Sequence, residues 1–172
     1  TIPDLLKVMR RNGVEKAILA SSPGICYDFR EGNMELSEAI EGHEELFGYV
    51  EVNPNYIEES LREMDKYLTT EKFLGIGELY QGGYQDCTLD CPGHREFISR
   101  IAERYPDAVT LCHGDGDALI ELAKKYPKVR FIAGHGAPVE KLPIVKEVKN
   151  ICLEVCVCRV AGRIESLVEG VG

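Results

Sequence analysis

Six short apolar segments, separated by segments of helical character, divide this sequence. They cover residues 17–22, 46–53, 73–80, 109–114, 129–136 and 151–157. Each is almost continuously apolar, which is typical of strands buried on both faces of a parallel sheet. In residues 55–68 and 115–126, apolar side chains recur three or four positions apart, the spacing of an amphipathic helix. This alternation predicts a parallel sheet with right-handed crossovers, either an open doubly wound sheet or a closed barrel.

Both ends of the sequence predict a helix rather than a strand. Thr1 and Asp4 resemble a capping box, and Gly170 and Gly172 suit a helix C-terminus. A complete barrel of eight strand–helix units usually needs about 250 residues, whereas this chain has 172. We therefore expect one domain over residues 1–172, a TIM-like (β/α) barrel with about six parallel strands that is short of its first and last strands.

The composition restricts the classes of function. The chain is 44% hydrophobic and 28% charged, as in an ordinary globular protein. No segment approaches the roughly 18 consecutive apolar residues of a membrane span, and the N-terminus lacks the pattern of a secretory signal. The net charge of −9 repels nucleic-acid phosphates. We expect a cytoplasmic protein that acts on a small molecule, without a nucleic-acid or membrane partner, and a homo-oligomer is left open.

Two of the four histidines end predicted strands in closely similar local sequences, LCHG and AGHG. These are His113 and His135, and a carboxylate, Glu78, interrupts the third apolar segment near its C-terminal end. Polar side chains at the carboxyl ends of parallel strands face a shared active-site mouth. One carboxylate and two imidazoles suit a divalent cation such as zinc. Glu78, His113 and His135 are therefore the candidate metal ligands and catalytic residues.

Other roles remain open for the same residues. A histidine at a strand end can be a structural residue whose ring satisfies buried backbone groups, and Glu78 can be half of a buried ion pair.

Three further residues are candidates for substrate binding: Tyr80, His94 and Asp115. His94 follows the turn-rich residues 81–93, and barrel enzymes place such loops against their substrates. It could equally cap the next helix. Asp115 directly follows the first histidine motif, but it is also a plausible N-cap.

The seven cysteines are an odd number, which favours a reducing compartment. Cys87 and Cys91 lie four apart and suggest a thiolate metal site, but their spacing is not that of a zinc ribbon. Cys152, Cys156 and Cys158 would share one face of a strand, which is the pattern of core packing. Core packing is the preferred interpretation of these three thiols.

The chain resembles the amidohydrolase-related family of metal-dependent hydrolases over nearly its whole length. The residues that carry the resemblance are DLLKVMRRNGVEKAIL, FGYVEVNP, FLGIGEL and LCHGDGDALIELAKKYPKVRFIAGHG. The resemblance implies that His113 and His135 bind the metal or contact the substrate. The family usually also has an initial strand with a His-x-His pair and a final strand with an Asp, and both would lie outside residues 1–172. Where the family often has a Lys motif, Glu78 resembles instead the Glu ligand of TatD-type hydrolases.

The predicted function is hydrolysis of a small amide or ester by a metal-activated water. The cofactor is expected to be zinc, with manganese and iron as alternatives. Three other functions stay open: decarboxylation of a small acid on the same scaffold, a TatD-like metal-dependent nuclease, and a small-molecule binding module without catalysis.

Overall fold

The structure is a computed structural model that describes residues 1–79, 85–113, 116–137, 139–156 and 162–171. In these residues the chain forms, in order, α1 (Ile2–Arg11), β1 (Ala17–Leu19), α2 (Ser22–Cys26), α3 (Phe29–Ile40), β2 (Leu46–Val50), α4 (Ile57–Tyr67), β3 (Phe73–Leu79), α5 (Pro92–Arg104), β4 (Val109–His113), α6 (Asp117–Lys125), β5 (Arg130–Gly134), a 3-10 turn (Val139–Lys141), α7 (Leu142–Glu147), β6 (Ile151–Leu153) and α8 (Arg163–Val171). No helix among them is long and apolar enough to cross a membrane.

The six strands form one sheet in which all neighbours are parallel and the order is β1-β2-β3-β4-β5-β6. A doubly wound sheet reverses its order at a switch point, whereas a (β/α) barrel adds each strand beside the preceding one. The strand order therefore selects the barrel from the two architectures that the sequence leaves open. The prediction of an incomplete TIM-like barrel with about six parallel strands is confirmed.

The two predicted terminal helices are present. α1 begins at Ile2, but the Thr1 hydroxyl donates to Asp4 Oδ2 at 2.5 Å and makes no side-chain bond to the helix backbone. The capping box is therefore not formed. α8 ends at Val171, as the glycines near the C-terminus indicate.

The strands are shorter than the apolar segments that predict them. β2 and β6 end one residue before Glu51 and Glu154, and β5 ends one residue before His135. The apolar segments therefore continue beyond the hydrogen-bonded ladder, and these polar side chains stand at the rim where the strands end.

The strand register brings the polar residues of neighbouring strands to one level. Four residues are level with one another across β3 to β6: Leu79, Cys112, Ala133 and Leu153. Glu78, His113, His135 and Glu154 each lie within two residues of this level. The edge formed by the carboxyl ends of β3 to β6 is therefore the part of the fold that gathers the candidate functional side chains.

Two glycines allow β3 to approach β4 closely. A Cβ atom at Gly75 would lie 2.0 Å from the backbone oxygen of Val109, and one at Gly77 would lie 2.6 Å from Leu111 Cβ. Gly77 also has a φ of +147°, which side chains disfavour. The register between β3 and β4 shifts between Ile76 and Leu79. The glycines thus set the position of the strand end that carries Glu78.

Candidate metal centre

His113 and His135 meet at the rim. Their Nε2 atoms are 3.0 Å apart, and their rings are 4.6 Å apart at an angle of 72°. First-row metals bind imidazole nitrogen at about 2.0–2.1 Å, so one cation can contact both nitrogens with an N–metal–N angle of about 90°. The pair therefore fits a shared cation, and it also fits a direct hydrogen bond when one ring is protonated at Nε2.

Glu78 approaches the other nitrogen of His113. Its Oε2 lies 3.3 Å from His113 Nδ1, and both side chains are half-buried. A carboxylate beside Nδ1 favours the tautomer with the proton on that atom, which leaves the Nε2 lone pair facing His135. In this geometry Glu78 orients a ligand. It does not point to the same place as the two Nε2 atoms.

His135 is held by two residues that follow β6. Its backbone N–H donates to Glu154 Oε2 at 3.1 Å, and its Nδ1 lies 2.9 Å from Cys156 Sγ. The Cys156 thiol donates to Glu154 Oε2 at 2.9 Å. Ligand atoms of His135, Glu154 and Cys156 all lie within 4.8 Å of one another, so these residues offer further metal ligands.

The backbone of His135 is strained. Its φ of +66° is in the left-handed region, which a residue with a side chain rarely adopts. Such strain persists where neighbouring interactions impose it, and it concentrates at functional sites. Here the bond from its N–H to Glu154 is one interaction that holds the turn.

The predicted trio does not form one compact ligand set. In the described part of the chain, two groups of three residues have ligand atoms that are mutually within 4.8 Å, and Glu78, His113 and His135 are not one of them. The structure brings His113 to His135 and Glu78 to His113. The assignment of all three as ligands stays a prediction.

Of the residues predicted to bind substrate, Tyr80 and Asp115 lie outside the described residues. His94 is 0% exposed, and its Nδ1 lies 3.2 Å from the backbone oxygen of Thr88. The N-cap of α5 is Cys91, so His94 does not have the capping role considered as an alternative. Their roles in substrate binding stay predictions.

The sequence interpretation missed Glu154 and was wrong about two cysteines. Cys152 is exposed, and Cys156 lies beyond β6 against His135, so neither packs in the core. Cys158 lies outside the described residues. The strand alternation on which the core interpretation depends stops at Leu153. Glu154 carried a signal, because it interrupts its apolar segment as Glu78 does.

Two groups with raised pKa values also lie at this edge of the sheet. Glu51 is 1% exposed, and burial raises the pKa of its carboxyl well above the usual value, with a smaller contribution from the charge of Glu78. A backbone hydrogen bond from Ser21 to Glu51 Oε1 opposes this change in pKa. Burial, with the charges of Glu154 and Glu78, raises the pKa of the Tyr49 phenol to about 12. The edge thus places two acidic groups with raised pKa values near Glu78 and Glu154.

No family model matches this sequence, and no curated protein matches it either. Solved structures do match. A 5-carboxyvanillate decarboxylase from Sphingomonas paucimobilis aligns over 97% of this chain and 68% of its own, with a TM-score of 0.71 and 13% identity. A 2,6-dihydroxybenzoate decarboxylase, solved with 2,6-dihydroxybenzoate, aligns over 96% of this chain and 71% of its own, with a TM-score of 0.67 and 13% identity.

An uncharacterized TIM-barrel protein from Bordetella bronchiseptica aligns over 96% of this chain and 63% of its own, with a TM-score of 0.74 and 10% identity. Two of these three structures are decarboxylases, and the third is described as a TIM-barrel protein. The chain shares the barrel fold of these structures. The resemblance inferred from the sequence is thereby confirmed at the level of the fold only. Identities this low give no information about the substrate or the mechanism.

Proposed function

We propose that this chain is a metal-dependent enzyme acting on a small molecule, and that His113 and His135 hold the cation through Nε2. The observation that supports this proposal is the 3.0 Å separation of the two Nε2 atoms. The cation is expected to be zinc, since imidazole and carboxylate suit it, with manganese or iron as alternatives. Glu154 accepts a hydrogen bond from the His135 backbone N–H and offers a further ligand.

The proposed reaction is hydrolysis of a small amide or ester. A divalent cation supplies Lewis acidity, which polarises a carbonyl group and lowers the pKa of a coordinated water. Glu78 holds the proton of His113 on Nδ1, so that Nε2 stays available as a ligand. Hydrolysis also needs a group that accepts a proton from water, and among the described residues Glu78 and Glu154 lie beside the two histidines and could do so.

Decarboxylation of a small acid is the second candidate. Two of the solved structures that share the fold are a 2,6-dihydroxybenzoate decarboxylase and a 5-carboxyvanillate decarboxylase. In such a reaction the bond to the carboxyl carbon breaks, its electron pair stays on the substrate carbon, and that carbon takes up a proton. The same histidine pair and the same cation would serve this reaction.

Metal analysis of histidine variants tests the first step. We expect His113→Ala and His135→Ala, purified without chelator, each to contain one equivalent of metal less than the wild type purified in the same way. His43→Ala removes a histidine that precedes β2, and it is expected to keep the full metal content. Unchanged metal in both site variants would refute the ligand assignment. If His135 is a structural residue, His135→Ala would instead lower the free energy of unfolding by about 1–3 kcal/mol without loss of metal.

Assays of both reactions on the metal-loaded protein then separate the candidates. A panel of chromogenic esters and anilides reports hydrolysis, and a panel of hydroxybenzoates reports release of carbon dioxide. Activity that is lost in His135→Ala and kept in His43→Ala would support the proposal for that reaction. No turnover in either panel by fully metal-loaded protein would favour a binding module.

A further inference from the structure

A second cluster of metal-binding side chains lies where the loop after β3 meets α5. It consists of Cys87, Cys91 and His94, and it shares no residue with the candidate metal centre. One ligand atom from each residue lies within 4.8 Å of those from the other two. Tetrahedral zinc, with Zn–S of about 2.3 Å and Zn–N of about 2.0–2.1 Å, places its ligand atoms about 3.5–3.8 Å apart. Side-chain adjustments of about 1 Å or less would close the cluster on a cation.

His94 has the protonation expected of a metal ligand. Its Nδ1 lies 3.2 Å from the backbone oxygen of Thr88, which can only accept, so Nδ1 carries the proton. Its Nε2 is then a lone pair, which is buried and has no hydrogen-bond partner among the described residues. A ligating histidine commonly donates one N–H to a backbone carbonyl and binds the metal through the other nitrogen.

The start of α5 explains why Cys91 and His94 are neighbours. Cys91 is the N-cap and Pro92 is the first helical residue, so His94 occupies the third helical position. Side chains at the N-cap and at the third helical position lie next to each other, as in a capping box. Cys91 makes no side-chain capping hydrogen bond, so its sulfur is not used by the helix.

A tight turn brings Cys87 to the same place. Asp86 has a φ of +45°, and the backbone N–H of Cys91 donates to the Thr88 oxygen at 3.1 Å. The loop is also held by Asn55, whose side chain donates to the Gln85 oxygen at 2.8 Å. Two neighbouring thiols and a buried imidazole lone pair are three donors of the kinds that zinc binds in proteins.

We propose that Cys87, Cys91 and His94 bind a zinc ion that fastens the loop after β3 to the first turn of α5. Binding replaces the two thiol protons, which are released to solvent, and His94 binds as the neutral ring through Nε2. The fourth position is open to water or to another ligand, since Cys87 and Cys91 line a cleft against the loop before α4. Three protein ligands from one short segment would close a loop around the ion.

Cobalt substitution of the full chain tests the site. Co²⁺ bound by thiolate absorbs strongly in the near ultraviolet, whereas Co²⁺ bound only by histidine and carboxylate does not. We expect this band in reduced protein loaded with Co²⁺, and we expect one equivalent of zinc to displace it. Cys91→Ser should remove the band and lower the metal content by one equivalent. Because serine is a preferred N-cap, this variant should still form α5.

Three controls separate this site from the candidate metal centre. Cys152→Ser removes an exposed thiol elsewhere and should keep the band. Cys156→Ser and His135→Ala alter the other cluster and should also keep it. A band that persists in Cys91→Ser and disappears in Cys156→Ser would overturn the proposal by assigning the thiolate to the other cluster. Loss of metal in His135→Ala bears only on the proposed function, so the two proposals can fail separately.

The competing interpretation is a disulfide between Cys87 and Cys91. Mass spectrometry of the protein purified under air, without zinc, would detect it as the loss of two hydrogens. If zinc or cobalt then fails to bind after reduction, the metal site is refuted. Zinc that raises the melting temperature of the reduced wild type, but not of Cys91→Ser, supports the site, since a ligand that binds only the folded state stabilises it.

Discussion

Glu51 allows a sharp test of how the rim of the barrel is stabilised. Its side chain is 1% exposed, and burial raises the pKa of its carboxyl well above the value of 4.5 expected in the unfolded chain. A carboxyl group with a raised pKa binds its proton more tightly in the folded state. Its contribution to stability is therefore complete below pH 4.5 and is lost as the pH rises toward the folded-state pKa.

The magnitude follows from proton linkage. Between the two pKa values the folded state holds one proton more than the unfolded state, so the free energy of unfolding falls by about 1.4 kcal/mol for each pH unit. Glu51→Gln removes this dependence, because glutamine does not titrate and its amide oxygen can still accept from the Ser21 backbone. Above the unfolded-state pKa the variant should become increasingly more stable than the wild type.

Urea unfolding from about pH 5 to about pH 8 measures the difference. The free energy of unfolding should decline more steeply with pH in the wild type than in Glu51→Gln, by up to about 1.4 kcal/mol per unit. Glu121→Gln makes the same chemical change at an exposed carboxylate and should leave the slope unaltered. Equal slopes in the wild type and Glu51→Gln would refute the account of a carboxyl held neutral by burial.

Two further predictions concern packing and hydrogen bonding. Gly75→Ala should lower the free energy of unfolding by about 3 kcal/mol or more, because its Cβ would lie 2.0 Å from the Val109 oxygen and the backbone must shift. The control is Gly116→Ala, where a Cβ meets nothing within 4 Å, and it should lower the free energy of unfolding in urea by about 1 kcal/mol or less. Equal losses in the two variants would contradict the close approach of β3 to β4. Asn150→Ala should lower the free energy of unfolding by about 1–3 kcal/mol in thermal or urea denaturation. The reason is that the Asn150 amide donates to the backbone oxygens of Ala123, Tyr126 and Val129. A loss below about 0.5 kcal/mol would show that water replaces the amide.

The sheet was predictable because its signal is local and repeated. Each strand lies within a predicted apolar segment, and the polar ends of those segments predicted that Glu78, His113 and His135 would share an edge. Parallel strands that follow one another in a barrel bring their carboxyl ends together. This rule, together with a register in which β4 and β5 are level, is enough to predict that His113 and His135 lie close together.

The ligand geometry was less predictable because it depends on how the chain leaves each strand. The alternation of side chains in a strand would place Cys156 in the core, but β6 ends at Leu153 and the thiol turns toward His135. His135 itself adopts a φ of +66°, which no pattern of apolar residues indicates. In the same way, the spacing of Cys87 and Cys91 was visible, whereas the buried lone pair of His94 required the fold.

The sequence interprets Glu78 as a metal ligand, whereas the geometry indicates that it orients His113, and a substitution at Glu78 distinguishes the two roles. As a metal ligand it would bind the cation directly, but its Oε2 lies 3.3 Å from His113 Nδ1, on the far side of that ring from Nε2. Loss of an orienting carboxylate typically weakens metal binding by about 10- to 100-fold, or about 1.4–2.7 kcal/mol. We therefore expect Glu78→Gln to bind zinc within this range below the wild type, as measured by competition with a chelating dye, while His135→Ala loses binding at this site. Glu78→Asp, which keeps the charge on a shorter side chain, should recover part of the affinity. If Glu78→Gln loses zinc as completely as His135→Ala, Glu78 is a ligand and its side chain moves when the cation binds. If its affinity equals that of the wild type, the carboxylate has no part in the site.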